Sequence, residues 1–302
     1  MHVIILGSAA GGGYPQWNCH CTMCSGLRNG KVVAEPRTQS SIAVSDDGEH
    51  WVIINASPDI RQQINHNPSI HGCKGKRGSS IAAVVLTDAQ VDHTSGLLIL
   101  REGLPMELYC TEQVRAELTD AFPLLTVLSH WHGGYRQHTI GHQSWHIPKV
   151  PHLRFEAIHL ESKAPPYSSH RNDPHPGDNI AIRITDIRTD RNLVYAPGLE
   201  KPSSDIEMAM SHADCVLADG TLWTDDEMIL EGVGSDLGTS MGHLPISGKH
   251  GMLALLSQFV KPRKILVHIN NTNPILDERG FERIQVVRAG VEIGFDGMTF
   301  EV

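Results

Sequence analysis

The 302-residue chain has no apolar run long enough to cross a membrane. Its opening Met1-His-Val-Ile-Ile-Leu6 lacks the basic start and long apolar core of a signal peptide, so the cytoplasm is the expected compartment. Positive charge is scarce too. The 25 Lys and Arg against 34 Asp and Glu leave a formal net charge of −9, which argues against a general nucleic-acid or anionic-membrane surface. Cysteines are few and do not look like a disulfide framework. Cys19, Cys21 and Cys24 crowd together, Cys73 lies in a polar stretch, and Cys110 and Cys215 sit in strand-like runs where a free buried thiol is ordinary. A phosphate-binding loop is missing as well. Gly7-Ser-Ala-Ala-Gly-Gly-Gly13 follows a first strand, but its spacing is not G-x-G-x-x-G, and Tyr14 stands where Lys-Ser/Thr is needed. These glycines predict a tight loop lying close to a site. With 40% hydrophobic and 20% charged residues, what remains is an ordinary globular protein, read as a single domain over residues 1–302.

What the chain does have is metal-ligand chemistry. The β-branched run Ile81–Leu86 predicts a buried strand, and Leu97–Glu102 a helix ending at Gly103. Between them Thr87-Asp-Ala-Gln-Val-Asp-His-Thr-Ser-Gly96 sets Asp88, Gln90, Asp92 and His93 on a strand-to-helix loop, where α/β sheets bind ligands. Such a loop suits either a polar helix cap or a convergence of metal donors. Cys19-His-Cys-Thr-Met-Cys24 reads as a zinc clamp, because three thiolates this close can share one tetrahedral ion. A redox pair at Cys21 and Cys24 lacks the βαβ context it needs. The clamp still requires a fourth donor, from His20, a distant side chain or a partner subunit.

Other segments fill in the frame. Ser40–Val44 and Trp51–Ile54 predict a hairpin turning at Asp47-Gly48, and residues 71–80 a mobile polar loop. Ser129-His-Trp-His132 reads as a surface loop or the lining of an aromatic pocket. Ala164–Asn179, stiffened by four prolines, predicts a substrate-facing lid whose Tyr167, His170, Arg171 and His175 suit carboxylates. Cys215–Asp219 and Lys264–His268 read as strands that deliver Asp219 and His268 at their ends. Met106–Cys110 predicts a strand and Glu112–Ala121 a helix, and the tail predicts a helix over 280–289 and a strand pair over 291–301.

Thr87-x-x-x-x-Asp92-His93-x-x-Gly96-Leu97 resembles the signature loop of the metallo-β-lactamase superfamily, normally Thr-His-x-His-x-Asp-His, with Asp88 and Gln90 in place of the two leading histidines. Asn55 stands for the usual strand-end Asp, and Gly198 for the carboxylate that bridges two metals in relatives resembling ribonuclease Z. Mixed carboxylate and imidazole ligation with open positions suits iron or manganese at least as well as zinc. Long segments, among them Arg37-Thr-Gln-Ser-Ser-Ile42, Asp173-Pro-His-Pro-Gly-Asp-Asn179 and His268-Ile-Asn-Asn-Thr-Asn-Pro-Ile-Leu-Asp277, identify the chain as similar to the pyrroloquinoline quinone (PQQ) biosynthesis protein B family.

That resemblance implies an α/β fold, an αββα metallo-β-lactamase sandwich, with a structural zinc on the cysteine loop and a homodimer formed near it. Phosphodiesterases with the same cysteine cluster complete it with a His three residues after the last active-site His. Asn271 occupies that position here. The implied chemistry is iron(II)- and dioxygen-dependent hydroxylation of the tyrosine ring in a peptide-derived Glu–Tyr cross-linked diamino acid. Manganese, copper, magnesium or zinc are conceivable substitutes for iron. Asp92, His93 and His268 would form the ligand set, Asp219 or Gln90 would be adjustable donors, and Arg61, His170, Arg171 and His175 would hold substrate carboxylates. Two other classes stand beside this one: a metal-dependent hydrolase, and a non-catalytic carrier or export factor for the finished quinone.

Overall fold

Fourteen short strands, rich in Val, Ile and Leu, carry the architecture of a computed structural model that describes residues 1–72 and 76–302. In chain order they are β1 (His2–Gly7), β2 (Ser41–Ser45), β3 (Trp51–Ile54), β4 (Ile81–Val85), β5 (Met106–Thr111), β6 (Tyr135–Ile140), β7 (Trp145–Ile147), β8 (Val150–His159), β9 (Ile180–Asp186), β10 (Arg191–Ala196), β11 (Cys215–Asp219), β12 (Arg263–Val267), β13 (Glu292–Ile293) and β14 (Met298–Glu301). One sheet runs β14-β1-β2-β3-β4-β5-β6 and the other β13-β12-β11-β10-β9-β8-β7. Within each, one half is antiparallel. The other half, β3 to β6 and β10 to β13, is parallel.

Parallel neighbours need crossover connections, and those crossovers place helices on the outer faces. Three apolar layers result. Ile5, Val44, Phe155, Ile184, Tyr195 and Leu217 fill the space between the sheets. Ile53, Ile60, Leu97 and Leu108 join the first sheet to its helices. Val194, Ile206, Met210, Leu256 and Val286 do the same for the second, together with the three clustered cysteines. The αββα sandwich expected from the sequence is the fold observed. No helix among the described residues is long and apolar enough to cross a membrane.

Three local expectations need correction. The tail strands do not pair with each other: β13 lies parallel beside β12, the chain turns at Gly297 (φ 82°), and β14 joins β1 in the opposite sheet. Sequence alternation cannot choose between two sheets. The segment after the signature loop is a 3₁₀ helix, Ser95–Gly103, with its start pinned by the Gly96 N–H on the Ala56 carbonyl at 2.9 Å. The helix expected to run to Ala121 ends at Glu117 and continues in turns to Phe122. Cys73 and the centre of the expected 71–80 loop lie outside the described residues.

Candidate metal centres

The signature loop folds back onto the end of β3. The Ala56 N–H donates to the His93 carbonyl at 2.7 Å, and the Asn55 side chain bonds Thr87 on both of its polar atoms. Gly96 is required here, since a Cβ would stand 2.2 Å from the Ser57 carbonyl oxygen. This strapping fixes the short helix Val91–Thr94, which carries Asp92 and His93. From the other sheet, β12 delivers His268 just past its last residue, in a left-handed conformation (φ 57°), held by Ile269 N–H on the Ser8 carbonyl. The glycine-rich loop after β1 closes over them, with the Gly11 Cα edge against Asp92: a Cβ there would meet Oδ2 at 3.2 Å. The loop read from its glycines as lying close to a site does so.

Asp92, His93 and His268 each offer a ligand atom within 4.8 Å of the others. Asp92 Oδ2 lies 3.8 Å from His93 Nε2 and 3.7 Å from His268 Nε2, with the two rings edge to face at 5.3 Å. His93 Nε2 is buried and has no hydrogen-bond partner among the described residues. An orphaned, buried imidazole nitrogen aimed at a carboxylate and a second imidazole is the signature of a cation site, and the donor set fits a divalent ion.

The orienting partners explain the replaced histidines. Asp88 is not a member of the set. Its carboxylate grips His93 Nδ1 at 2.8 and 2.9 Å, which turns Nε2 inward. Burial pulls the His93 imidazole down, but Asp88 and then Asp92 outweigh it and raise it to about 9. Both carboxylates are correspondingly held low against the opposing effect of burial. His268 Nδ1 rests on Thr221 Oγ1 at 2.8 Å, and burial lowers this imidazole's pKa below its ordinary value.

Asp219, expected as a ligand or base, has another job. Its Oδ1 accepts from the Thr221 N–H and hydroxyl, and its Oδ2 from the Leu199 N–H and His243 Nδ1. Although it lies within 4.8 Å of His243 and His268, those four bonds use all four of its acceptor directions. Asp219 therefore orients Thr221 and His243. His243 is the residue the sequence reading missed. It stacks on His268 at 5.1 Å and is reached through Gly242, whose φ of 100° marks the turn. The only signal for it was the Gly-His-Leu-Pro string.

The set opens on a cavity of about 320 Å³. Gln90, its side-chain amide unbonded among the described residues, and Gly198 lie on the wall, and Leu222, Met228 and Met241 supply apolar surface. Of the expected carboxylate binders, Arg171 lines this cavity, with its Nη1 donating to the Ala164 carbonyl at 2.7 Å. Lys163 joins it. The other three are elsewhere. Arg61 is exposed on the helix Ile60–His66. His170 is spent inside the proline-rich loop, between Asp178 at 3.0 Å and Glu117 at 3.4 Å. His175 stacks on His170 and lines an adjoining groove that shares Lys163 and Arg171 with this cavity. The loop itself lies where a lid was expected, with Pro166, Arg171 and Asn179 on the cavity and the Tyr167 hydroxyl on the Ala89 carbonyl. The Trp131 loop is at the surface, away from this cavity. His159 packs on His142, apart from the ligand set.

The cysteine loop forms the second centre. Cys19, Cys21 and Cys24 are buried with their sulfurs within 4.8 Å of one another. Burial pushes the Cys21 thiol up to about 12, a state that a cation in their midst would reverse. The Asn271 amide sits against all three sulfurs, at 3.2, 3.6 and 3.4 Å, where a fourth donor belongs. Its nitrogen faces them; the amide turned end for end presents its oxygen. His20 is exposed and is not among the residues whose ligand atoms converge there.

A two-sheet sandwich with a carboxylate–imidazole set at the ends of parallel strands defines a β-lactamase superfamily protein, and the superfamily's domain model matches residues 50–269. Within it, the chain is 53% identical over 100% of both chains to coenzyme PQQ synthesis protein B from Pseudomonas aeruginosa, and 54% over 100% of both to that of Azotobacter vinelandii. It superposes on the structure of Zn(2+)-bound PqqB from Methylobacterium extorquens with a TM-score of 0.92, at 41% identity over 100% of both chains. A diphosphatase of the PhnP family shares the fold at 18% identity and a TM-score of 0.67, over 100% of this chain and 96% of that one. The chain belongs to the coenzyme PQQ synthesis protein B family.

Proposed function

We propose that this protein hydroxylates the tyrosine ring of a peptide-derived Glu–Tyr cross-linked diamino acid during PQQ formation, using iron(II) and dioxygen. The observation that carries the reading is the Asp92–His93–His268 set, one carboxylate and two imidazoles facing an open cavity. Iron(II) held by such a set supplies a reactivity toward dioxygen that side chains alone lack. The chain's own residues do the rest. Asp88 and Thr221 fix the two imidazoles in their ligating orientation. Arg171 and Lys163 suit the substrate's carboxylates, while Met228 and Met241 give its ring an apolar wall. The loop Ala164–Asn179 screens the cavity from water.

A dinuclear hydrolase fits less well: Asp88 is an orienting group, Gln90 has replaced an imidazole, and Gly198 leaves the bridging position bare. We further propose a cytoplasmic homodimer that pairs near the cysteine loop, where Trp17 is 86% exposed. Sedimentation of wild type against Trp17→Glu checks that pairing. The reaction itself is tested by anaerobic loading with iron(II), addition of the diamino acid and then oxygen, with product mass as readout. Gain of oxygen atoms, absent in His93→Ala and His268→Ala, is the expected result. Tight quinone binding without any mass change would replace this reading with that of a carrier.

A further inference from the structure

A second cavity, of about 420 Å³, lies on the far side of the glycine-rich loop, lined by Gly12 and Gly13 and by no residue that lines the active-site cavity. Its unusual feature is Arg37, which is 7% exposed and has no carboxylate within salt-bridge distance among the described residues. One end of the guanidinium is used: Nη1 donates to Ser8 Oγ at 3.0 Å and to the Gly294 carbonyl. Nε, by contrast, is buried without any partner, and Nη2 makes no hydrogen bond, among the described residues. Those two N–H groups point the same way along one edge of the guanidinium plane, the edge that grips a carboxylate with two parallel bonds. A buried guanidinium with that edge empty is costly unless something fills it.

The rest of the wall limits what can fill it. The nearby Asp296 is saturated by Ser8 and Thr38, each through backbone N–H and hydroxyl. Asp59, on the cavity wall, accepts twice from Gln39 through Oδ2, and its Oδ1 is unbonded among the described residues. The Gln62 side-chain amide and the Asn67 side-chain oxygen are also without partners among the described residues. A buried guanidinium with two unbonded nitrogens therefore lines a cavity that, among the described residues, also offers a free carboxylate oxygen and two free amide oxygens. A simple anion would meet Asp59 unfavourably, and a simple cation would meet Arg37.

We propose that this cavity binds a small zwitterion of the α-amino acid class, carboxylate on the Arg37 edge and ammonium toward Asp59, Gln62 and Asn67.

Titration calorimetry of the full-length, metal-loaded protein with glycine, acetate, methylammonium and inorganic phosphate tests this. Saturable glycine binding is expected, at least about tenfold tighter than acetate or methylammonium, each of which makes half of the charged contacts. Arg37→Gln removes binding. Because Arg37 also braces Ser8 and Gly294, the surface-side variants Asp59→Asn and Gln62→Ala provide the decisive comparison. Each weakens glycine while leaving the melting temperature unchanged. Acetate or phosphate binding as tightly as glycine, or no saturable glycine binding by the folded wild type, overturns the proposal.

Discussion

His268 and Asn271 hang from the same strand end, three residues apart, yet they serve opposite kinds of pocket. The Asn271 pocket is closed: three buried sulfurs and one buried amide face one another. The His268 pocket is open, with three donors on one side and the cavity on the other. Closed sulfur sites hold structure together, while open sites with few protein donors leave room for substrate. The difference arises in the supports. At the cysteines the polypeptide itself wraps the centre, through the helix Thr22–Arg28 and its Cys21 cap. At the open pocket each imidazole is aimed by a second residue: Asp88 for His93, Thr221 for His268.

Breaking the closed pocket should have the largest effect. Cys24→Ser is expected to empty it and to lower the melting temperature by roughly 10 °C, read by calorimetry with metal analysis. Next comes the aiming residue of the open pocket. Asp88→Ala should leave the cysteine site loaded but weaken active-site metal by about 10- to 100-fold, measured by competition with a chelator. Asp88→Asn, which can still accept from Nδ1, should fall between that variant and wild type.

The two pockets should also differ in their pH response. Without metal, His93 titrates near 9, raised by Asp88 and Asp92 against burial, so an ion must displace its proton to bind. Active-site affinity should climb by roughly tenfold per pH unit up to about pH 9 and then level. The same shift has the opposite sign for the metal-free fold. A pKa raised from 6.5 to about 9 stabilises below pH 6.5, and that contribution is lost as pH rises through 9. Thermal melts of the metal-free protein across this window should show the decline, and metal-loaded protein should not. The smallest effect separates two arginines. Arg171→Ala should raise the substrate KM by about tenfold with little change in kcat, whereas Arg61→Ala, on the exposed helix face, should change neither.

Much of this was legible because it was local. The strand before Asp92 and His93, the strand before His268 and the cysteine spacing each announce themselves within a dozen residues, and the sandwich follows from their order. What escaped was set by contacts across the chain. His243 is positioned by Leu244 N–H on the Leu199 carbonyl and by Asp219, neither near it in sequence. Asp88 reads as a lost ligand until its bonds to His93 are seen. His170, with donors well suited to a substrate, is consumed by Asp178 and Glu117, partners that no periodicity reveals. The family resemblance supplied the ligand set, but the division of labour between ligating and aiming carboxylates came from geometry.

The central claim is a single-ion active site beside a separate closed clamp, and anomalous diffraction at the metal edges of reconstituted crystals tests it most directly. The account predicts one peak among Cys19, Cys21, Cys24 and Asn271, and one peak touching Asp92, His93 and His268. A pair of adjacent peaks in the active site, or an ion held by Asp88 or Asp219, would contradict it.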